Sequence, residues 1–139
     1  MTRKEAKREL APLKDMEKDI RSVEDEIERL MAVATKMTTT YDPINVTGSP
    51  KNKLEEAIVK LEDYKDRLSK LVLENLAYKN RCLDKVYQIE PKSLQKILLY
   101  YYFQNYTLEK TAELLDRSYQ WTYELFTTAL DKYAEISDT

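Results

Sequence analysis

From Leu13 onward the apolar positions recur in a strict three-four alternation: Leu13, Met16, Ile20, Val23, Ile27, Leu30, Ala34 and Met37. That spacing is a heptad seam, and it predicts a long helix with one narrow apolar face. The stretch 38–50, with three threonines, Asp42-Pro43, Gly48 and Ser49-Pro50, predicts a loop, with Ser49 or Asn52 as the cap of the next helix. That second long helix is predicted over 51–88. Leu54, Ile58, Leu61, Leu68, Val72, Cys82, Val86 and Ile89 form one seam, and Ala57, Leu61, Tyr64, Leu68, Leu71, Tyr78 and Cys82 form an overlapping one. Two helices joined by so short a loop must run antiparallel. The doubled seam is wider than one partner helix needs, so the expectation is a homo-oligomer, or a contact with the C-terminal part, through the spare seam. Asn75 on a seam reads as a register device, and Cys82 as a small core residue. The first dozen residues read as a solvated helix end, with a weak phosphate contact through Arg3, Lys4, Lys7 and Arg8 as the functional alternative. Pro12, acceptable in a first turn, places the start of the main helix near it.

Pro91 marks a boundary, because the residue before a proline is turned away from helical geometry. Ser93 is expected to cap a helix that buries Leu94, Ile97, Leu98, Tyr101 and Tyr102. Thr107 then caps a short helix with Leu108, Ala112 and Leu115 on one face. After Asp116-Arg117, Ser118 caps a longer one carrying Thr122, Leu125, Phe126, Ala129, Leu130 and Tyr133 at helical spacing. A short helix, a tight turn and a longer helix form the layout of a helix-turn-helix, and the preceding helix completes a three-helix core. The expected fold is all-α: a long antiparallel coiled-coil helical hairpin over 1–89 with its loop at 38–50, followed by a small helix-turn-helix domain over 90–139.

Composition narrows the class. The chain has 139 residues, one glycine, 35% charged side chains, one cysteine and no histidine. So few glycines suit long helices rather than a turn-rich β fold. Disulfides within the chain, Cys/His zinc sites and histidine-based catalysis are excluded, and no Gly-rich phosphate loop or cysteine constellation suggests an enzyme. No catalytic residue, metal or cofactor is expected. No apolar run reaches the roughly 18 residues that span a bilayer, and none near Met1 reads as a secretory signal. The expectation is a soluble protein without membrane contact.

The segment from Leu98 to Leu130 resembles the region-four helix-turn-helix of sigma factors, in the form carried by small phage-encoded regulators of the ArpU-like family. Thr107, Glu109, Ala112, Ser118, Tyr123, Leu125, Ala129 and Leu130 stand at the matching places, and the helical hairpin before them is similar to the other half of those proteins. The resemblance implies a transcriptional regulator in the cytoplasm of a bacterial host cell, acting on DNA or on RNA polymerase. Three residues depart from the pattern: Asp116 replaces the turn glycine, Thr111 a large aliphatic, and Glu124 a common arginine.

Charge pulls the other way. The outward face of the last helix is Gln120, Trp121, Glu124, Thr127, Thr128 and Asp131, with no Lys or Arg. From Glu90 onward five basic side chains stand against eight acidic ones, a net −3. A duplex carries one charge per roughly 1.7 Å of axis, so such a domain would be repelled. Two readings result. In the first, Arg117, Ser118, Tyr119, Gln120, Trp121, Glu124, Thr127 and Thr128 face DNA, where Gln120 can read adenine and Thr128 a thymine methyl. In the second, the same acidic, aromatic surface binds a protein, such as RNA polymerase or a nucleic-acid-binding enzyme whose basic groove it would fill.

Overall fold

The computed structural model describes residues 1–40 and 49–136, all of whose regular elements are helical. In order these are α1 (Arg3–Leu10), a 3₁₀ turn (Ala11–Lys14), α2 (Met16–Thr40), α3 (Ser49–Val86), α4 (Lys92–Leu98) continued by a π turn (Leu99–Phe103), α5 (Leu108–Leu115) and α6 (Tyr119–Glu135). The described residues form two compact units, one of residues 1–17 with 76–139, the other of 18–75.

Three boundaries differ from the sequence pattern. Thr38 to Thr40 continue α2, and Ser49 and Pro50 already belong to α3, so only the middle of the expected 38–50 loop lies outside the described residues. Threonine gives up only a few tenths of a kcal/mol in a helix, and proline is tolerated in a first turn. Asn52 therefore lies within α3 rather than capping it. Ser93 does not cap α4 either: Pro91 occupies the N-cap position and makes no side-chain cap bond.

The third difference is the largest. The first residues are not a solvated end but α1, a helix of its own. Thr2 and Glu5 close its start reciprocally, Thr2 Oγ1 accepting from the Glu5 N–H (3.2 Å) and a Glu5 carboxylate oxygen accepting from the Thr2 N–H (3.4 Å). Ala6 and Leu10, four apart on one face, are both 0% exposed and join a core with Leu13, Val86, Ile97, Leu98, Leu130 and Tyr133. Pro12 sits in the 3₁₀ turn next to them. The division at 89/90 thus cuts through a core that unites α1, the end of α3 and α4 to α6. Cys82 is 1% exposed within it, as expected of a small core residue, and burial raises its thiol pKa.

This core has one charged node. Lys85, 5% exposed, donates to both carboxylate oxygens of Glu9 (3.0 and 3.2 Å), and its ammonium lies 5.2 Å from the Tyr133 ring centre. The Tyr78 hydroxyl donates to the Glu9 carbonyl. A buried cation needs such partners, because desolvation would otherwise exceed the gain from packing its stem. The π turn directs the dense tyrosines. The Tyr101 ring meets Phe126 at 4.8 Å, Tyr102 lies 5.9 Å from Phe126, and the Lys14 ammonium sits 3.5 Å over Tyr101. Part of the aromatic run is therefore core.

In the other unit, Glu26, Arg29 and Leu30 of α2 line the same groove as Lys60, Asp63, Tyr64 and Arg67 of α3. On α3 it is the second of the two overlapping seams that is covered: Ala57 is buried and Leu61, Tyr64, Leu68 and Leu71 are half-buried. Ile58 and Val72 of the first seam remain 46% and 39% exposed.

Candidate interaction surface of the last helix

The surface is built by two capped helices and the turn between them. Thr107 Oγ1 accepts from the Lys110 N–H (3.1 Å), fixing the start of α5. At its end Asp116 takes the left-handed conformation (φ 54°, ψ 49°). The Asp116 N–H then reaches the Glu113 carbonyl (3.1 Å) and the Arg117 N–H the Ala112 carbonyl (3.0 Å). These paired bonds satisfy the last carbonyls of the helix, and glycine is their usual residue. Ser118 then caps α6, its Oγ accepting from the Trp121 N–H (3.1 Å). The Thr107 and Ser118 caps read from sequence are both present, unlike that of Ser93, and the turn between them is closed by a residue that adopts the left-handed region at a cost.

The inner face of α6 buries Thr122, Phe126, Ala129, Leu130 and Tyr133 against the rest of its unit. Thr111 and Thr122, 0% exposed, turn their hydroxyls onto the carbonyls of Thr107 and Ser118 (2.8 Å each), so a buried threonine stands in the aliphatic's place without an orphan polar atom. The outer face collects the residues singled out from sequence. Arg117, Ser118, Tyr119, Gln120, Trp121, Glu124 and Thr128 are exposed and Thr127 is half-buried. Trp121 is 38% exposed, and the Arg117 guanidinium lies 4.9 Å from its ring centre. With Tyr119 and Tyr123 at 48% and 50%, three aromatic side chains crowd the first turn and a half of α6. The hydroxyls of Thr127 and Thr128 donate to the carbonyls of Tyr123 and Glu124 (3.0 Å each). Outward they offer a methyl and an acceptor.

Sequence reading missed the role of Arg3. Its guanidinium grips Asp131 in a bidentate pair, Nε to Oδ1 and Nη2 to Oδ2, both 2.7 Å. The two parallel bonds hold the Asp131 carboxyl below its ordinary pKa and raise that of Arg3. The only signal in the chain was the basic run of the first eight residues, 128 positions away from Asp131. Lys4, Lys7 and Arg8 stand exposed on the same helix. Their arrival changes the charge balance. Residues 76–139 carry eight basic and nine acidic side chains, and residues 1–17 bring five and four. The unit holding α6 is therefore formally neutral, not negative.

Among the described residues no group of three or more His, Cys, Asp or Glu could hold a metal ion, and no helix is long and apolar enough to cross a membrane. Comparison with protein-family models, with curated proteins and with solved structures finds no match to the chain.

Proposed function

We propose that α5, its left-handed turn and α6 form a helix-turn-helix that binds DNA, and that the protein is a phage-type transcriptional regulator. Residues 18–75 would then be an antiparallel coiled-coil hairpin that associates with a second copy and so presents two such modules. The observation that carries this reading is the Arg3–Asp131 pair. It removes the free carboxylate nearest the end of the outer face and ties a helix with three further exposed cations beside it. Affinity for a duplex comes mainly from phosphate neutralisation, and α1 supplies cations that α6 lacks. In this reading Gln120 and Thr128 meet base edges, Glu124 favours an exposed cytosine amine, and Arg117, Lys4, Lys7 and Arg8 hold phosphates.

A second reading is favoured by the exposed Tyr119, Trp121 and Tyr123. Aromatic side chains grouped beside an arginine make the contact chemistry of a protein interface, and a subunit of RNA polymerase is the partner class this reading names.

Titrating a random-sequence duplex at low salt while following Trp121 fluorescence separates the two. DNA binding gives a change that weakens with salt. Reversing Lys4, Lys7 and Arg8 together to glutamate then lowers the slope of log affinity against log salt by up to about 0.9 for each lost phosphate contact. Glu124→Arg raises affinity if that face meets the duplex. No salt-sensitive binding in the wild type moves the assignment to the protein partner.

A further inference from the structure

The Arg3–Asp131 pair occupies only one edge of the guanidinium. Nε and Nη2 each donate once to the carboxylate, which uses two of the five N–H donors of an arginine. The end edge, formed by Nη1 and the second N–H of Nη2, makes no hydrogen bond among the described residues. The Arg3 and Asp131 side chains are 49% and 46% exposed, so the pair is open to solvent. An arginine clamped along one edge presents the other as a fixed fork of two parallel donors. That fork fits a group that offers two oxygens side by side. Lys7, four residues on and therefore on the same side of α1, is exposed as well.

The place of the fork along α6 indicates which oxygens it meets. Gln120, Glu124 and Asp131 stand four and seven residues apart, on one strip of the outer face. At about 1.5 Å per residue, Asp131 lies about 16 Å along the axis from Gln120. The major groove is about 12 Å wide, and a recognition helix sets its N-terminal residues against the base edges. With Gln120 in the groove, Arg3 stands beyond its edge, at the sugar–phosphate wall. We infer that Arg3 is itself a phosphate-binding residue: Asp131 holds one edge of its guanidinium, and the free edge takes the two unesterified oxygens of a DNA phosphodiester. Asp131 is then a positioning residue, an acid that aids the binding of an anion. Two opposed effects decide this. A carboxylate on the far side of the guanidinium repels the phosphate weakly, because the Debye length is about 8 Å at physiological salt. Immobilising a freely rotating arginine on the phosphate is the larger penalty. The inference deepens the DNA reading of α6 and rests on it.

The experiment titrates a labelled random-sequence duplex with the full chain, follows anisotropy, and repeats the titration across a range of salt around 0.1 M. It compares the wild type with Asp131→Ala and with the double variant Arg3→Gln, Asp131→Asn. Both variants should keep the wild-type far-UV circular dichroism, because Ala6 and Leu10, fully buried, hold α1 without the pair. The double variant removes cation and acid together and leaves the net charge unchanged. It should lower the slope of log affinity against log salt by about 0.9, the value for one phosphate, and weaken binding at 0.1 M salt about eightfold. Asp131→Ala makes the surface more positive, yet it should weaken binding about threefold by releasing Arg3. A wild type without salt-sensitive binding overturns the DNA reading and this contact together. A wild type that binds while the double variant matches it in slope and affinity overturns the Arg3 contact alone. A double variant that weakens while Asp131→Ala binds as tightly as wild type, or more tightly, overturns the positioning role of Asp131.

Discussion

Truncating Leu10 to alanine tests whether α1 is a structural part of the unit that carries α6. Leu10 is 0% exposed and packs in the same core as Val86, Ile97 and Tyr133. Removing its three outer carbons forfeits their transfer free energy and leaves a cavity that the surrounding helices fill only partly. Leucine-to-alanine changes at such sites cost about 2–5 kcal/mol. A position sealed by elements from both ends of the chain has little freedom to collapse, so about 3 kcal/mol is expected. A unit of about eighty residues has a total stability of roughly 4–12 kcal/mol, and the loss is a large share of it. With a urea m-value of about 2 kcal/mol/M, the midpoint falls by about 1.5 M. The assay is equilibrium urea unfolding followed by Trp121 fluorescence, which reports on α6. Lys7→Ala, an exposed position on the same helix, is the control and should stay within about 0.5 kcal/mol of wild type. If Leu10→Ala moves the midpoint no further than Lys7→Ala does, α1 is not packed in this core, and the neutral charge balance of the unit falls with it.

Three further outcomes are expected from the same geometry. Asp116→Gly should stabilise by about 0.5–1 kcal/mol, because glycine takes the left-handed turn without a Cβ penalty; thermal unfolding would show a rise of about 4 °C, and no rise would mean the turn is unstrained. Lys85→Met leaves Glu9 without its cation and should destabilise by about 2–3 kcal/mol, a figure reduced because the Glu9 side chain keeps 24% exposure. Adding Glu9→Leu should recover most of that in chemical denaturation, and a double variant as weak as the single would contradict the ion-pair account. The Arg3–Asp131 pair makes a pH prediction. The folded-state pKa of Asp131 is depressed, so its contribution to stability is fully present above the unfolded value near 3.9 and is lost as pH falls through the lower folded value. The stability difference between wild type and Arg3→Ala should therefore persist from pH 7 to about pH 5 and then vanish in stronger acid. A difference that does not change with pH would refute the pair.

Much of the local structure is decided within a few residues and was legible for that reason. The three-four spacing from Leu13 and the doubled stripe from Leu54 describe helices whatever surrounds them. Thr107 and Ser118 cap because a side-chain oxygen reaches an N–H three residues on, a contact that needs no distant partner. The unfavourable turn at Asp116 was visible too, since only the residue type and the distance from the last helical position matter there. The short α1 was not legible. Ala6 and Leu10 give only two apolar points on one face, too few to separate a packed helix from a frayed end, and the residues that bury them lie at the far end of the chain. The Arg3–Asp131 and Lys85–Glu9 pairs are decided by tertiary approach alone, because any of several cations nearby in sequence had the right charge. So was the choice between the overlapping seams of α3: both satisfy the helical period, and only packing selects the one through Ala57 and Leu71. By itself the sequence determined the bodies of the two long helices and of the last three, where α5 and α6 begin, and the acidic face of α6. The tertiary structure decided which ends meet, and so made the unit behind that face neutral, because charge balance belongs to a folded surface and not to a stretch of chain.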